Sequence, residues 1–152
     1  MPATREIQVT STAFADGAPI PAAYSCTGGN VPPPLAWTVP AGATRLALIV
    51  DDPDAVGGLF THWVVTDISP TVTVNPEGHT PDGGVVTANS ADRIGYLGPC
   101  PPPGTGVHHY RFTVHALSRP LALSPDTPVA TATSAIEAAS LGSGRLTGTY
   151  SR

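Results

Sequence analysis

Proline and glycine punctuate this chain from end to end. Among its 152 residues are 18 prolines and 16 glycines. They lie between short apolar runs and are not massed in one tract. Proline interrupts helices and central strands, and glycine settles into turns. Many short strands joined by turns are therefore expected in preference to disorder. A chain of this length is long enough for one domain that buries roughly 70% of its extended surface.

Alternation of apolar and polar positions is the dominant pattern along the chain. It predicts strands over Glu6–Ser11, Leu35–Trp37, Arg45–Asp52, His62–Ile68, Val85–Asn89, His109–Leu117 and Arg145–Tyr150. Asp16-Gly17, Gly28-Gly29-Asn30, Asp54 through Gly58 and Asp82-Gly83-Gly84 supply the turns. One helix is predicted over Ser134–Leu141, where Ser134 and Glu137 have the spacing of a reciprocal cap and Gly142 stands as a stop. Several strands and one late helix predict a mainly β chain, an antiparallel β-sandwich with one or a few short helices. No linker or internal repeat divides residues 1–152.

Period two also places the polar residues. Leu46, Leu48 and Val50 share a face with Asp52; Tyr110, Phe112, Val114 and Ala116 share one with His108. His62, Val64, Thr66 and Ile68 form a third row. Asp52, His62, His108 and Tyr110 thus cap core-facing rows, where a pocket opens at a sheet's rim. His109, Arg111 and His115 lie on the opposite face and are expected in solvent.

Composition narrows the chemistry. All seven basic residues are arginine. The absence of lysine excludes a P-loop lysine, a Schiff base and a lysine general base. A formal net charge of −4 with no basic cluster argues against a nucleic-acid surface. Residues 1–15 lack the basic and apolar segments of a signal peptide, and nothing approaches a membrane span of ~20 apolar residues, so a cytoplasmic chain is expected. Cys26 and Cys100 are too few for a disulfide framework and fit no zinc spacing. Two reduced thiols are expected, with a single bridge as the alternative.

The chemistry-bearing segments are Asp52-Pro53-Asp54-Ala55, His62-Trp63 and the run from Gly98-Pro99-Cys100-Pro101-Pro102-Pro103-Gly104 to His108-His109-Tyr110. They resemble the phosphatidylethanolamine-binding protein family, in particular its bacterial and archaeal Raf kinase inhibitor-like branch. Phe14-Ala15-Asp16-Gly17, Pro32-Pro33-Pro34-Leu35 and Gly148-Thr149-Tyr150 extend the resemblance over nearly the whole chain. It implies the family's β-sandwich and a small pocket for phosphate, acetate or a phospholipid headgroup. Carried over by position, the pocket comprises Asp52, His62, Gly98, Pro101, Pro102, His108 and Tyr110. Cys100 lies within the loop, and Asp54 supports the site. His109 stands where many members carry arginine, and Val56 where many carry proline.

A physical route to anion binding is open to these residues. Asp52 would orient a histidine and favour its imidazolium form, which then offers a charged donor to a ligand oxygen, with Tyr110 and loop N–H groups adding others. The expected function is binding of a small anion or lipid headgroup, with regulation of a partner protein as a further role. The rival is a small-molecule isomerase, cyclase or hydrolase that uses Asp52, His62, His108 and Tyr110 for acid–base work. Asp52, His62 and His108 also spell a two-histidine, one-carboxylate set, but three common residues on separate strands are a weak metal signal. No metal or other cofactor is expected, and a homodimer is a further expectation.

Overall fold

The computed structural model describes residues 6–152. Two antiparallel sheets form the body. A small sheet has β1 (Val9–Thr10), β2 (Leu35–Trp37) and β5 (Val74–Asn75) in the order β1-β2-β5. A larger one comprises β3 (Arg45–Asp52), β4 (Phe60–Ile68), β6 (Val85–Val86), β7 (His108–Leu117) and β8 (Ser140–Tyr150), in the order β6-β4-β3-β7-β8. A 3-10 turn covers Ala22–Tyr24, and helix α1 covers Val129–Ala139. This is the mainly β, two-sheet architecture with a late helix that the patterning predicts.

The large sheet is buried on both faces, which explains the nearly unbroken apolar run of β3. Leu46, Leu48, Val50, Phe112, Val114 and Leu146 pack in the core beneath the small sheet, with Leu35 and Trp37. Ala47, Ile49, Val64 and Leu117 pack on the other side against Ala132, Ile136 and Ala139 of α1. The second face is therefore only partly solvated. His109 is exposed as expected, but Arg111 and His115 are half-buried, because α1 and the ion pairs of β3 shelter that surface.

Several boundaries move. β1 is shorter than the predicted Glu6–Ser11, and β6 ends three residues before Asn89. The helix starts five residues before Ser134, directly after Pro128, and has no side-chain cap. Proline's fixed φ suits a helix start, so the Ser134-x-x-Glu137 pair lies inside the helix and caps nothing. Gly142 does not act as a stop: the chain turns at Ser140 straight into β8, whose Gly142 and Gly144 pair with Ala116 and Val114. Gly144 is required there, because a Cβ would lie 1.6 Å from the Ile7 carbonyl oxygen.

β8 lies at the sheet's edge, but the backbone of residues 16–20 seals its C-terminal part. Gly17 N–H donates to Thr147 O (2.7 Å), Ile20 N–H to Thr149 O (2.8 Å) and Thr149 N–H to Ala18 O (3.0 Å). Asp16 Oδ1 accepts from Thr147 N–H at 2.9 Å.

Candidate functional site

β3 is the middle strand of the large sheet, and β4 and β7 flank it. Asp52 is the last residue of β3, His62 lies near the start of β4, and His108 opens β7. Antiparallel pairing therefore brings all three to one end of the sheet. His62 arrives by an irregular route. Val50 pairs with Trp63 and Asp51 with Thr61, so His62 is an extra residue in β4. Such a bulge re-aims side chains. A second irregularity follows, with Leu48 opposite Val65 and Leu46 opposite Ile68. The expected row His62, Val64, Thr66, Ile68 is accordingly broken: Trp63, Val65 and Ile68 enter the sandwich core, and Val64 faces the helix.

The proline–glycine run forms the facing wall. Leu97 N–H donates to His62 O (3.1 Å), and Cys26 N–H to Pro99 O (3.0 Å). Gly98 N–H donates to Asn30 Oδ1 at 2.8 Å. Position 98 has no room for a side chain: a Cβ would lie 2.2 Å from Tyr24 O and 2.5 Å from Asn30 Oδ1. Cys26 and Cys100 are joined in a disulfide, which corrects the expectation of two reduced thiols. Seventy-four residues apart in sequence, they meet because Asn30 and the Pro99 carbonyl dock the two loops side by side. Farther along, Arg152 Nε donates to Pro101 O at 2.7 Å.

Between these elements lies a cavity of about 320 Å3. Of the residues singled out in the sequence, Asp52, His62, Gly98, Cys100, Pro101, Pro102, His108 and Tyr110 line it. Asp54 does not. Its carboxylate instead accepts from the backbone N–H and Nδ1 of exposed His109 at 2.9 and 2.7 Å, and these bonds hold its carboxyl below the usual carboxylate range. Cys26, Asn30, Ala55, Val56, Phe60 and Leu97 also line the cavity and escaped the sequence reading. Val56 and Phe60 could have been found from their places in the Asp52–His62 connection.

The floor of the cavity is a hydrogen-bond network. Asp52, 3% exposed, accepts from His108 Nδ1 at 2.8 Å through Oδ2 and from Asp54 N–H at 2.7 Å through Oδ1. The other ring nitrogen of His108 lies 2.9 Å from Thr105 Oγ1, whose hydroxyl also reaches Pro102 O at 2.7 Å. Both nitrogens of His108 are thus engaged within the protein, and Thr105 is a residue that no motif had marked.

His62 is differently placed. Its Nδ1 lies 2.8 Å from Leu97 O, a carbonyl that can only accept, so Nδ1 carries the hydrogen. Nε2 makes no hydrogen bond of ordinary geometry among the described residues, and the Gly98 carbonyl also lies against the ring. Nε2 still touches solvent, because the only fully buried unpartnered side-chain polar atom among those residues is Thr87 Oγ1. Burial pushes the imidazole pKa down, which the Leu97 carbonyl and Asp52 only partly oppose. The Phe60 and Tyr110 rings meet His62 edge-on, with centroids 4.9 and 5.3 Å away. Burial, and then Asp52, raise the Tyr110 hydroxyl far above an ordinary phenol, keeping it a donor. Among the described residues no three His, Cys, Asp or Glu side chains converge to hold a metal ion.

A family profile described as phosphatidylethanolamine-binding protein matches residues 10–151. A Mycobacterium tuberculosis protein named as a lipoprotein, LppC, is 54% identical over 149 residues, covering 98% of this chain and 74% of that one. The phosphatidylethanolamine-binding protein homologue CT736 of Chlamydia trachomatis superposes with a TM-score of 0.89 at 37% identity, covering 98% and 99% of the two chains. YbcL of Escherichia coli superposes at 0.90 with 32% identity, covering 96% and 98%. The lipoprotein name of a relative this similar overturns the cytoplasmic expectation. That expectation rests on the composition of residues 1–15 and on the lack of a stretch of ~20 apolar residues. No helix among the described residues is long and apolar enough to cross a membrane.

Proposed function

This chain belongs to the phosphatidylethanolamine-binding protein family, and from that premise we propose that its cavity captures a small molecule by a phosphate or carboxylate group. One observation carries the reading: His62 Nε2 is the unpartnered, solvent-reachable nitrogen of a buried imidazole at the polar end of an otherwise apolar cavity. Once protonated it gives a charged donor, and the Tyr110 hydroxyl gives a second by turning its hydrogen from Asp52 to the ligand. The role imagined for the Asp52-oriented histidine passes to His62, because both nitrogens of His108 are engaged. Ala55, Val56, Phe60, Leu97 and Pro102 offer apolar walls to whatever the headgroup carries, and Val56 reaches the rim at 74% exposure.

One charged contact ~4 Å long at an effective dielectric near 20 gains about 4 kcal/mol before desolvation. An affinity no tighter than about 1 mM for a bare anion follows from that contact alone. Calorimetric titration with inorganic phosphate at pH 6 tests this. His62→Ala should abolish the heat while circular dichroism stays unchanged, and an unaltered affinity would reject the reading.

A second reading starts from the chain Asp52–His108–Thr105, in which a buried carboxylate orients an imidazole beside a hydroxyl whose hydrogen would have to turn from the Pro102 carbonyl to His108 Nε2. This is the connectivity of acid–base and nucleophilic sites. Release of p-nitrophenol from p-nitrophenyl acetate, lost in Thr105→Ala, would support it. Equal rates for the two proteins would dismiss it.

A further inference from the structure

Every carboxylate around the cavity already has a cationic or hydrogen-bonding partner of its own, and that arrangement limits the charge a ligand can bring. Asp51 is held by Arg111, with Nε to Oδ1 at 2.7 Å and Nη2 to Oδ2 at 3.1 Å. Asp54 is held by His109, and Asp52 by His108. Arg152 bonds the outer carbonyl of Pro101 and is exposed; it does not line the cavity. The fixed charge of the Asp52–His108 pair is zero if His108 is charged and −1 if it is neutral. In neither state does the lining hold a surplus cation.

The groups facing His62 from the surrounding elements are Asp52 and Asp51 of β3, Tyr110 and His108 of β7, and the Leu97 and Gly98 carbonyls of the loop. Tyr110 stays neutral, Cys26 and Cys100 are bridged, both ring nitrogens of His108 are engaged, and His62 is the histidine of the lining with a nitrogen left to offer a ligand. Burial favours the neutral ring and the Leu97 carbonyl holds the hydrogen on Nδ1, so before a ligand enters Nε2 offers a lone pair, which repels an oxyanion. An anion can settle there only if a hydrogen comes with it.

We infer, building on the anion reading above, that the cavity selects singly charged oxyanions (phosphodiesters and monocarboxylates) over doubly charged phosphomonoesters, and that each enters with one proton on His62 Nε2. One imidazolium balances one negative charge; a second would remain buried without a partner. A phosphodiester also fits the shape, since its two ester arms can lie along the apolar walls while its two free oxygens meet His62 and Tyr110. A phosphomonoester can adapt by carrying its own hydrogen, so its binding should fade as it loses that hydrogen near pH 6.

The test is calorimetry on the intact protein with dimethyl phosphate and methyl phosphate at pH 6 and pH 8, in buffers of different ionisation enthalpy. At pH 8 dimethyl phosphate should bind at least about tenfold more tightly, since an unpartnered buried charge costs more than 1.4 kcal/mol. Its affinity should rise by up to about tenfold per pH unit of acidification, with close to one proton taken up per molecule bound. His62→Gln should flatten that pH dependence. Equal or tighter binding of methyl phosphate at pH 8, or no proton uptake, would overturn the inference while leaving an anion site standing. If neither ester binds at any pH, both the inference and the anion reading fall.

Discussion

His62 reaches the cavity through one extra residue in β4. Asp52, His108 and Tyr110 were legible because each caps a row that alternates without fault. His62 was legible only as a motif member, because its supposed row ignored a bulge that period-two reading does not reveal. Thr105 was invisible: nothing in a Gly-Thr-Gly turn signals that its hydroxyl will meet a histidine. Replacing Thr105 by Val removes that partner and should cost about 1 kcal/mol in urea unfolding, the usual cost of orphaning a buried polar atom. Asp52→Ala strands the 2%-exposed His108 and should cost more, about 3–5 kcal/mol, by the same measurement.

At the level of elements, burial decided what local signals could not. Helix α1 has no side-chain cap and follows directly on Pro128, yet it persists because Ala132, Ile136 and Ala139 seat it on the sheet. Ile136→Ala should therefore destabilise by about 2–5 kcal/mol in thermal or denaturant unfolding, far more than Ser134→Ala at an exposed position within the helix. Gly142 was expected as a helix stop, yet it and Gly144 are strand residues paired with β7, and Ile7 crosses so closely that no side chain fits at position 144. Gly98→Ala faces a similar obstacle, with the Tyr24 and Asn30 oxygens in the way. It should undock the loop wall, and phosphate binding should disappear in calorimetry even where the fold survives. The proline run itself was readable as a stiff wall, but what it leans against was not, since Asn30 lies 68 residues away.

For the molecule as a whole, the disulfide and the buried histidines set the conditions of stability. Cys26–Cys100 closes a loop of 74 residues, which in the chain-entropy account contributes about 4 kcal/mol. A Cys26→Ser/Cys100→Ser protein should lose roughly that much in urea unfolding, and so should the native chain under reductant. Its sequence spacing could not reveal the bridge, because the two thiols meet only once both loops are docked. Burial depresses the pKa of His62 and of His115, the latter also facing Arg145. Folding therefore favours their neutral forms, and the unfolded chain binds more protons as pH falls. Stability from these two groups is complete above the ordinary value of 6.5 and is lost progressively below it. Melting temperature measured from pH 8 to pH 5 should decline through that range, and His62→Gln should blunt the decline. The strip of backbone at residues 16–20 also has a social consequence. Thr147 and Thr149 turn their amides to their own chain, so neighbouring copies crowded together find no ladder there to climb onto. Fibrous clumping through this margin would first require that strip to be peeled away.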